Sequence, residues 1–210
     1  MTGGAGAGAS GWVPDDAQVE ALHRRYAPSE QVLELVLTHG RVVADIAAQC
    51  AERLDEQEGP VDLSLLRATC LLHDLGTYAL YSPDGRLGNH PAYPLHALIG
   101  ATLLREEGVD ERVAAAVRTH VLMGLSADDI RASGMLLPVR DYAPQGVVAE
   151  LLCYADRFHS KRPCFNDPER FAAGLEASLP RQAALFRVAQ QRFGPPDVEG
   201  LARRYGHPVV

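Results

Sequence analysis

The sequence predicts an all-α fold, a single-domain helical bundle, on three observations. Apolar residues recur at three- and four-residue steps, as in Val32, Val36, His39, Val43, Ile46 and Cys50. Residues that start and stop helices stand at the ends of these runs. No stretch alternates apolar and polar residues convincingly enough to read as a strand. With 210 residues, 47% of them hydrophobic, the chain can build one substantial core.

The elements follow in order. Met1 to Gly11 is Gly/Ala-rich, and residues 1–14 are expected to be disordered, leaving 15–210 as the folded unit. Val19, Leu22 and Tyr26 suggest a short helix over Asp15 to Tyr26. Ser29 and Glu30 start a long helix that runs to about Leu54, and Gly59-Pro60 ends that segment. Asp62 can cap a helix from Leu63 to about Asp74, apolar nearly all round and therefore central, with Gly76 placed to close it. Tyr78 to Tyr93, rich in Pro and Gly, reads as a loop. Pro94 to Glu107 is helical, with His96, Ile99 and Leu103 on one face. Asp110 caps the next helix, where Val113, Val117 and His120 align and Gly124 is the stop. Ser126 to Asp129 resembles a capping box for a short helix that ends at Gly134. Met135 to Pro144 is irregular, and Pro144 to His159 is helical. Asp167-Pro168 opens a further helix, Pro180 to Phe193 follows, and Val198 to Tyr205 closes the chain.

Bulk properties narrow the functions. A formal net charge of -7 argues against a nucleic-acid polymer as partner, while a small phosphorylated substrate stays open. The N-terminus lacks a basic region of the secretory kind. No apolar run reaches the roughly 20 residues that span a bilayer. The four cysteines, Cys50, Cys70, Cys153 and Cys164, form no C-x-x-C pair and read as reduced packing residues. A cytoplasmic location, with no membrane partner, is the resulting expectation.

One group of residues carries chemistry. His73 and Asp74 end an apolar helical run, where adjacent ionisable groups cost free energy unless they are paired. His39, His96, His120 and Asp156 fall on the apolar sides of their own helices. Any one of these histidines is more often a core residue satisfied by a backbone hydrogen bond. As a set, four His and two Asp would need many separate partners. One centre of two divalent ions satisfies them together, and nitrogen with carboxylate oxygen suits Fe, Mn, Zn, Co or Ni.

The order His39, His73-Asp74, His96, His120, Asp156 resembles the HD-domain superfamily of metal-dependent phosphohydrolases, and His73-Asp74-Leu75-Gly76 resembles its signature. The similarity runs from about Val32 to Lys161, and the two extra histidines resemble the subset that holds two metals. Leu137 to Pro144, with Cys153 to Arg157, is similar to a small HDIG-type branch of uncharacterised proteins. The resemblance implies an HD domain over 15–210 with C-terminal helices. It also implies that His39, His73 and Asp156 hold one ion, that His96 and His120 hold the second, and that Asp74 bridges them. His73 and Asp74 would be the catalytic pair, and a water between the ions would lose a proton and attack phosphorus.

Other residues are candidates for support. Arg157 and Lys161 could bind phosphate or could form a solvated basic helix end. Asn89 and His90 could touch substrate. Arg140 and Asp141 are expected to pair. His23, His159 and His207 are weak candidates as ligands, although His159, three residues after Asp156, could support one. Specificity would rest on the loops at 77–95 and 124–144. The expected activity is cleavage of a phosphate ester or anhydride of a nucleotide or small phosphometabolite. A mixed-valence di-iron oxygenase or a non-catalytic sensor would be the alternatives. The apolar terminal helix could support a homodimer.

Overall fold

The computed structural model describes residues 11–54, 59–82, 85–87 and 90–210, together with the backbone but not the side chain of His90. Ten α-helices form the described part: α1 (Asp16–Tyr26), α2 (Glu30–Ala51), α3 (Leu63–Leu72), α4 (His96–Glu106), α5 (Glu111–Thr119), α6 (Ala127–Ser133), α7 (Val147–Ala155), α8 (Pro168–Ser178), α9 (Pro180–Phe193) and α10 (Val198–Tyr205). The all-α reading holds, with one small exception. His159–Ser160 (β1) pairs antiparallel with Cys164–Phe165 (β2), two residues a side and too short to show an alternating pattern in sequence.

Local chemistry sets the helix ends. Asp15 closes a capping box with Gln18 at the start of α1. Ser29, Asp62 and Asp110 accept from the first-turn amides of α2, α3 and α5. Ser126 and Asp129 form the expected capping box on α6, and Gly134 closes that helix at φ 66°.

Several boundaries differ from expectation, among them the end of α5, which stops at Thr119 with His120 as its cap rather than at Gly124. The helix expected over Pro144 to His159 is confined to α7, because Gly146 sits at φ 82° before it and His159 becomes extended to enter β1. The loop expected from Tyr78 carries 3₁₀ turns at Leu75–Leu80 and His90–Leu95. Part of the N-terminal segment expected to be disordered is docked. The Trp12 amide donates to the Gly108 carbonyl, the Asp110 amide donates to that of Trp12, and the indole donates to the Glu107 carbonyl. The remainder of that expectation, residues 1–10, lies outside the described residues.

The main core gathers α2, α3, α5 and α7, with Val36, Val43, Ile46, Leu66, Leu72, Val117, Leu152 and Tyr154 all nearly solvent-free. Burying each such aliphatic side chain contributes roughly 1.5–3 kcal/mol. Two close backbone approaches shape it. A Cβ on Gly40 in α2 would lie 2.9 Å from the Leu71 carbonyl oxygen of α3. A Cβ on Gly76 would collide with the His96 carbonyl and the Gly100 amide of α4. Contrary to expectation, Gly76 therefore does not close a helix at positive φ. It lets the chain after α3 press against α4. The terminal helix α10 turns Leu201 and Ala202 inward onto its own chain. No helix among the described residues is long and apolar enough to cross a membrane.

Candidate metal centre

Those two contacts decide where the ionisable residues meet. Gly40 follows His39, and its close packing on Leu71 sets α2 two residues from His73. Gly76 follows Asp74 by two residues and abuts His96 itself. His73, His120 and Asp156 stand at the C-terminal ends of α3, α5 and α7. Three helix ends with partial negative charge thus converge on one volume, an arrangement that favours a cation.

All six residues of the expected constellation come together there. His39 Nε2 lies 3.0 Å from Asp156 Oδ1 and 3.4 Å from Asp74 Oδ2. His73 Nε2 is 3.3 Å from Asp74 Oδ2 and 3.4 Å from Asp156 Oδ1. The other oxygen of Asp74, Oδ1, faces His96 Nε2 at 3.2 Å and His120 Nε2 at 3.9 Å. The two histidine nitrogens His96 Nε2 and His120 Nε2 are 2.9 Å apart. Two triads have ligand atoms close enough to share one ion: His39, His73 and Asp156, and His73, Asp74 and His120. The second triad takes His73 in place of the His96 that the resemblance implies. His96 nevertheless stands nearer to Asp74 than His120 does, so the distances favour counting it in that cluster.

The donor set fits divalent metal. His73, Asp74 and His120 are 0%, 1% and 1% exposed. His73 Nε2 and Asp74 Oδ1 have no hydrogen-bond partner among the described residues, a costly arrangement unless something else meets them. Burial first, then the Lys161 ammonium, holds the His39 imidazole well below its usual range. Burial and neighbouring His96 do the same for His120, and His96 is pushed down to about 4 mainly by burial. Neutral imidazole is the form that binds metal. Burial opposes ionisation of Asp74, but Lys161, His73 and His96 outweigh it and hold the carboxyl well below the usual range.

Three of the four histidines are oriented by a carbonyl three residues back. His73 Nδ1 donates to Cys70 (2.7 Å), His96 Nδ1 to Tyr93 (2.5 Å) and His120 Nδ1 to Val117 (2.6 Å). Each bond leaves Nε2 directed into the centre.

The expected phosphate-binding cations are not a solvated helix end. The Lys161 ammonium pairs with Asp74 Oδ2 and lies 5.3 Å from the Tyr93 ring centroid. Arg157 pairs with Asp156 Oδ2 while its Nε donates to the Cys153 carbonyl at 3.2 Å. Both side chains are mostly buried and line an open cleft of about 450 Å³ over His39, Asp74, His96 and His120. Asn89 and the His90 side chain lie outside the described residues. Arg140 and Asp141 do not pair as expected. Arg140 donates to the Tyr142 hydroxyl, and Asp141 accepts from the Ala127 amide. His23 is a core residue bonded to Tyr78 Oη and the Leu71 carbonyl. Residues the sequence did not single out complete the cleft: Tyr93, Leu122, Met135, Asn166, Phe171 and Leu179. Leu122 holds φ at 56°, the left-handed region, two residues after His120.

Comparison with known proteins agrees with the helical fold. The HD domain family model matches residues 36–161, more than half of the chain. A tRNA (cytidine(56)-2'-O)-methyltransferase of Picrophilus torridus is 27% identical over 149 residues, covering 71% of this chain and 37% of that protein. The Thermoplasma volcanium protein of the same name is 26% identical, covering 69% and 36%. The chain thus spans little more than a third of the length of these two relatives. The uncharacterized protein MJ0778 of Methanocaldococcus jannaschii is 29% identical, covering 64% of this chain and 73% of its own. Among solved structures, the HD domain of the L. monocytogenes phosphodiesterase PgpH superposes with a TM-score of 0.51 at 13% identity, over 89% of this chain and 98% of that one. Its complex with cyclic-di-AMP gives 0.50 at 15% identity, over 89% and 96%. By the family model and the helical fold together, this chain belongs to the HD domain family.

Proposed function

We propose that this chain is a metal-dependent phosphohydrolase that cleaves a phosphate ester or anhydride of a small phosphorylated molecule at a two-ion centre. One observation carries the reading: Asp74 is buried and turns its two oxygens toward two different pairs of histidines. A carboxylate so placed can bridge two ions, with His39, His73 and Asp156 on one and His96 and His120 on the other. Two divalent ions would supply a water acidic enough to ionise near neutral pH and would offset phosphoryl charge.

The remaining steps fall to the protein. His73 and Asp74 position the reacting groups from the end of α3. Arg157 and Lys161, which pair with Asp156 and Asp74, line the cleft. With ions held by those carboxylates, the same two cations would be free to bind phosphate oxygens. Tyr93, Leu122, Met135 and Phe171 give the cleft an apolar wall for the organic part of the substrate and limit water access.

The phosphodiesterase activity in the name of the PgpH neighbour, and its complex with a cyclic dinucleotide, fit this chemistry. The test is phosphate release from nucleotides, and nitrophenol release from bis(p-nitrophenyl) phosphate, by protein loaded with manganese or iron. Release that disappears on chelation and in Asp74→Ala supports the reading. Oxygen uptake by iron-loaded protein with no hydrolysis under any metal would replace it with the oxygenase chemistry.

A further inference from the structure

His39 differs from the other three histidines of the centre. It sits within α2 instead of at a helix end, and no backbone carbonyl among the described residues receives its Nδ1. Its Nδ1 instead faces His159 Nδ1 at 2.9 Å. His159 Nε2 in turn faces His207 Nδ1 at 2.9 Å. The three imidazoles form a stack, with centroids 5.2 Å apart at each step and interplanar angles of 22° and 16°.

Each link is held in place by its own part of the fold. His159 is the first residue of β1, 4% exposed, with the Phe165 ring edge-on at 4.9 Å. His207 follows the left-handed Gly206 that closes α10. The last residues then run beside β2: the Phe165 amide donates to the Pro208 carbonyl, the Val210 amide to that of Phe165, and the Asp167 amide to that of Val210. The C-terminal tail is thereby fastened where it presents His207 to His159.

Only one arrangement of protons satisfies the stack when His39 binds metal through Nε2. Its remaining proton is on Nδ1 and donates to His159 Nδ1. His159 must then carry its proton on Nε2, which donates to His207 Nδ1. The last proton, on His207 Nε2, is left to the open groove that His159 and His207 line with Thr38 and Arg41. We infer that His159 and His207 are positioning residues for the metal site, a two-histidine relay that fixes the tautomer and ring angle of His39. This rests on the two-ion reading above and adds a selective consequence. The relay supports the His39, His73 and Asp156 site, whereas His96 and His120 depend on carbonyls of Tyr93 and Val117.

The experiment titrates manganese alone into chelator-stripped full chain and follows free ion by spin resonance. Variants are His159→Phe, which keeps an aromatic ring and removes the acceptor, His159→Asn, whose amide oxygen can accept from His39 Nδ1, and His207→Phe. Wild type should bind two ions. His159→Phe should weaken one of them about 10- to 100-fold, the usual effect of losing such a partner, and leave the other unchanged. His159→Asn should restore most of that loss, and His207→Phe should weaken the same site several-fold. Unchanged binding of both ions in His159→Phe would overturn the inference. So would equal weakening of both sites, or failure of Asn to restore binding, since a purely structural role would act that way. If His159→Phe does not fold, the Asn and His207→Phe variants decide the question by the same criteria. Wild type that binds no ion would instead defeat the two-ion reading itself, and the relay with it.

Discussion

Oδ1 of Asp74 stands 3.2 Å from Nε2 of His96, although the two residues belong to different helical segments 22 positions apart. The 3₁₀ turn after Asp74 presses on α4 through Gly76, and that contact fixes the distance. Asp74→Asn keeps the shape and removes the charge that two ions would share. It is expected to bind no more than one manganese ion and to lose phosphate release by more than about a hundredfold, beyond the loss typical of an outer partner. Metal analysis alongside a phosphate-release assay checks both.

Gly76→Ala tests the packing that builds the centre. The added methyl meets backbone on His96 and Gly100, which cannot rotate away. A loss of about 1–3 kcal/mol or more is expected, as for overpacked cores. Gly174, within α8, has nothing among the described residues beyond its own helix backbone within 4 Å of such a methyl. Gly174→Ala should therefore stabilise by roughly 0.5–1 kcal/mol through helix propensity. Urea unfolding of the two variants beside wild type gives opposite signs if the contacts are as described.

The helices and the six central residues were legible because both rest on local pattern. His39, His96 and His120 fall on apolar faces, and caps such as Ser29, Asp62 and Ser126 sit where hydrophobic runs begin. What was not legible depends on contacts distant in sequence. Gly76 looks like a helix stop until α4 is packed against it, and Gly40 has no sequence signal beyond being small. His207 could not be joined to His159 because the link needs the C-terminal tail to run beside β2. The two-residue strands and the pairing of Arg140 with Tyr142 are likewise set by neighbours rather than by period.

Lys161→Met separates the ion-free state from the loaded one. With chelator present, Asp74 loses its ammonium partner in a buried site. A destabilisation of about 3 kcal/mol is expected, as when one member of a buried pair is removed. With manganese bound, the ions meet Asp74 and the loss should shrink to less than about 1 kcal/mol, while the KM for a phosphate ester rises. Denaturation in the two conditions, with steady-state kinetics, reads these effects.

His23 gives a pH signature independent of catalysis. Burial is the main cause that pushes its imidazole down to about 4 from 6.5. As pH falls below 6.5, the unfolded chain takes up a proton that the folded chain refuses. The His23 contribution is therefore whole above about pH 6.5, declines between there and pH 4, and is spent below. The full span corresponds to on the order of 3 kcal/mol. His23→Gln should be less stable than wild type at pH 7.5, and that gap should narrow on going to pH 4.5. Urea midpoints across this range, with chelator in both proteins, test it.

Six side chains would hold two ions that share Asp74. Manganese titration of the chelator-stripped wild-type chain, followed by low-temperature spin resonance, measures that most directly. Two ions per chain with an exchange-coupled signal are predicted. A single uncoupled ion at saturation, or no tight binding, would contradict the bridged centre.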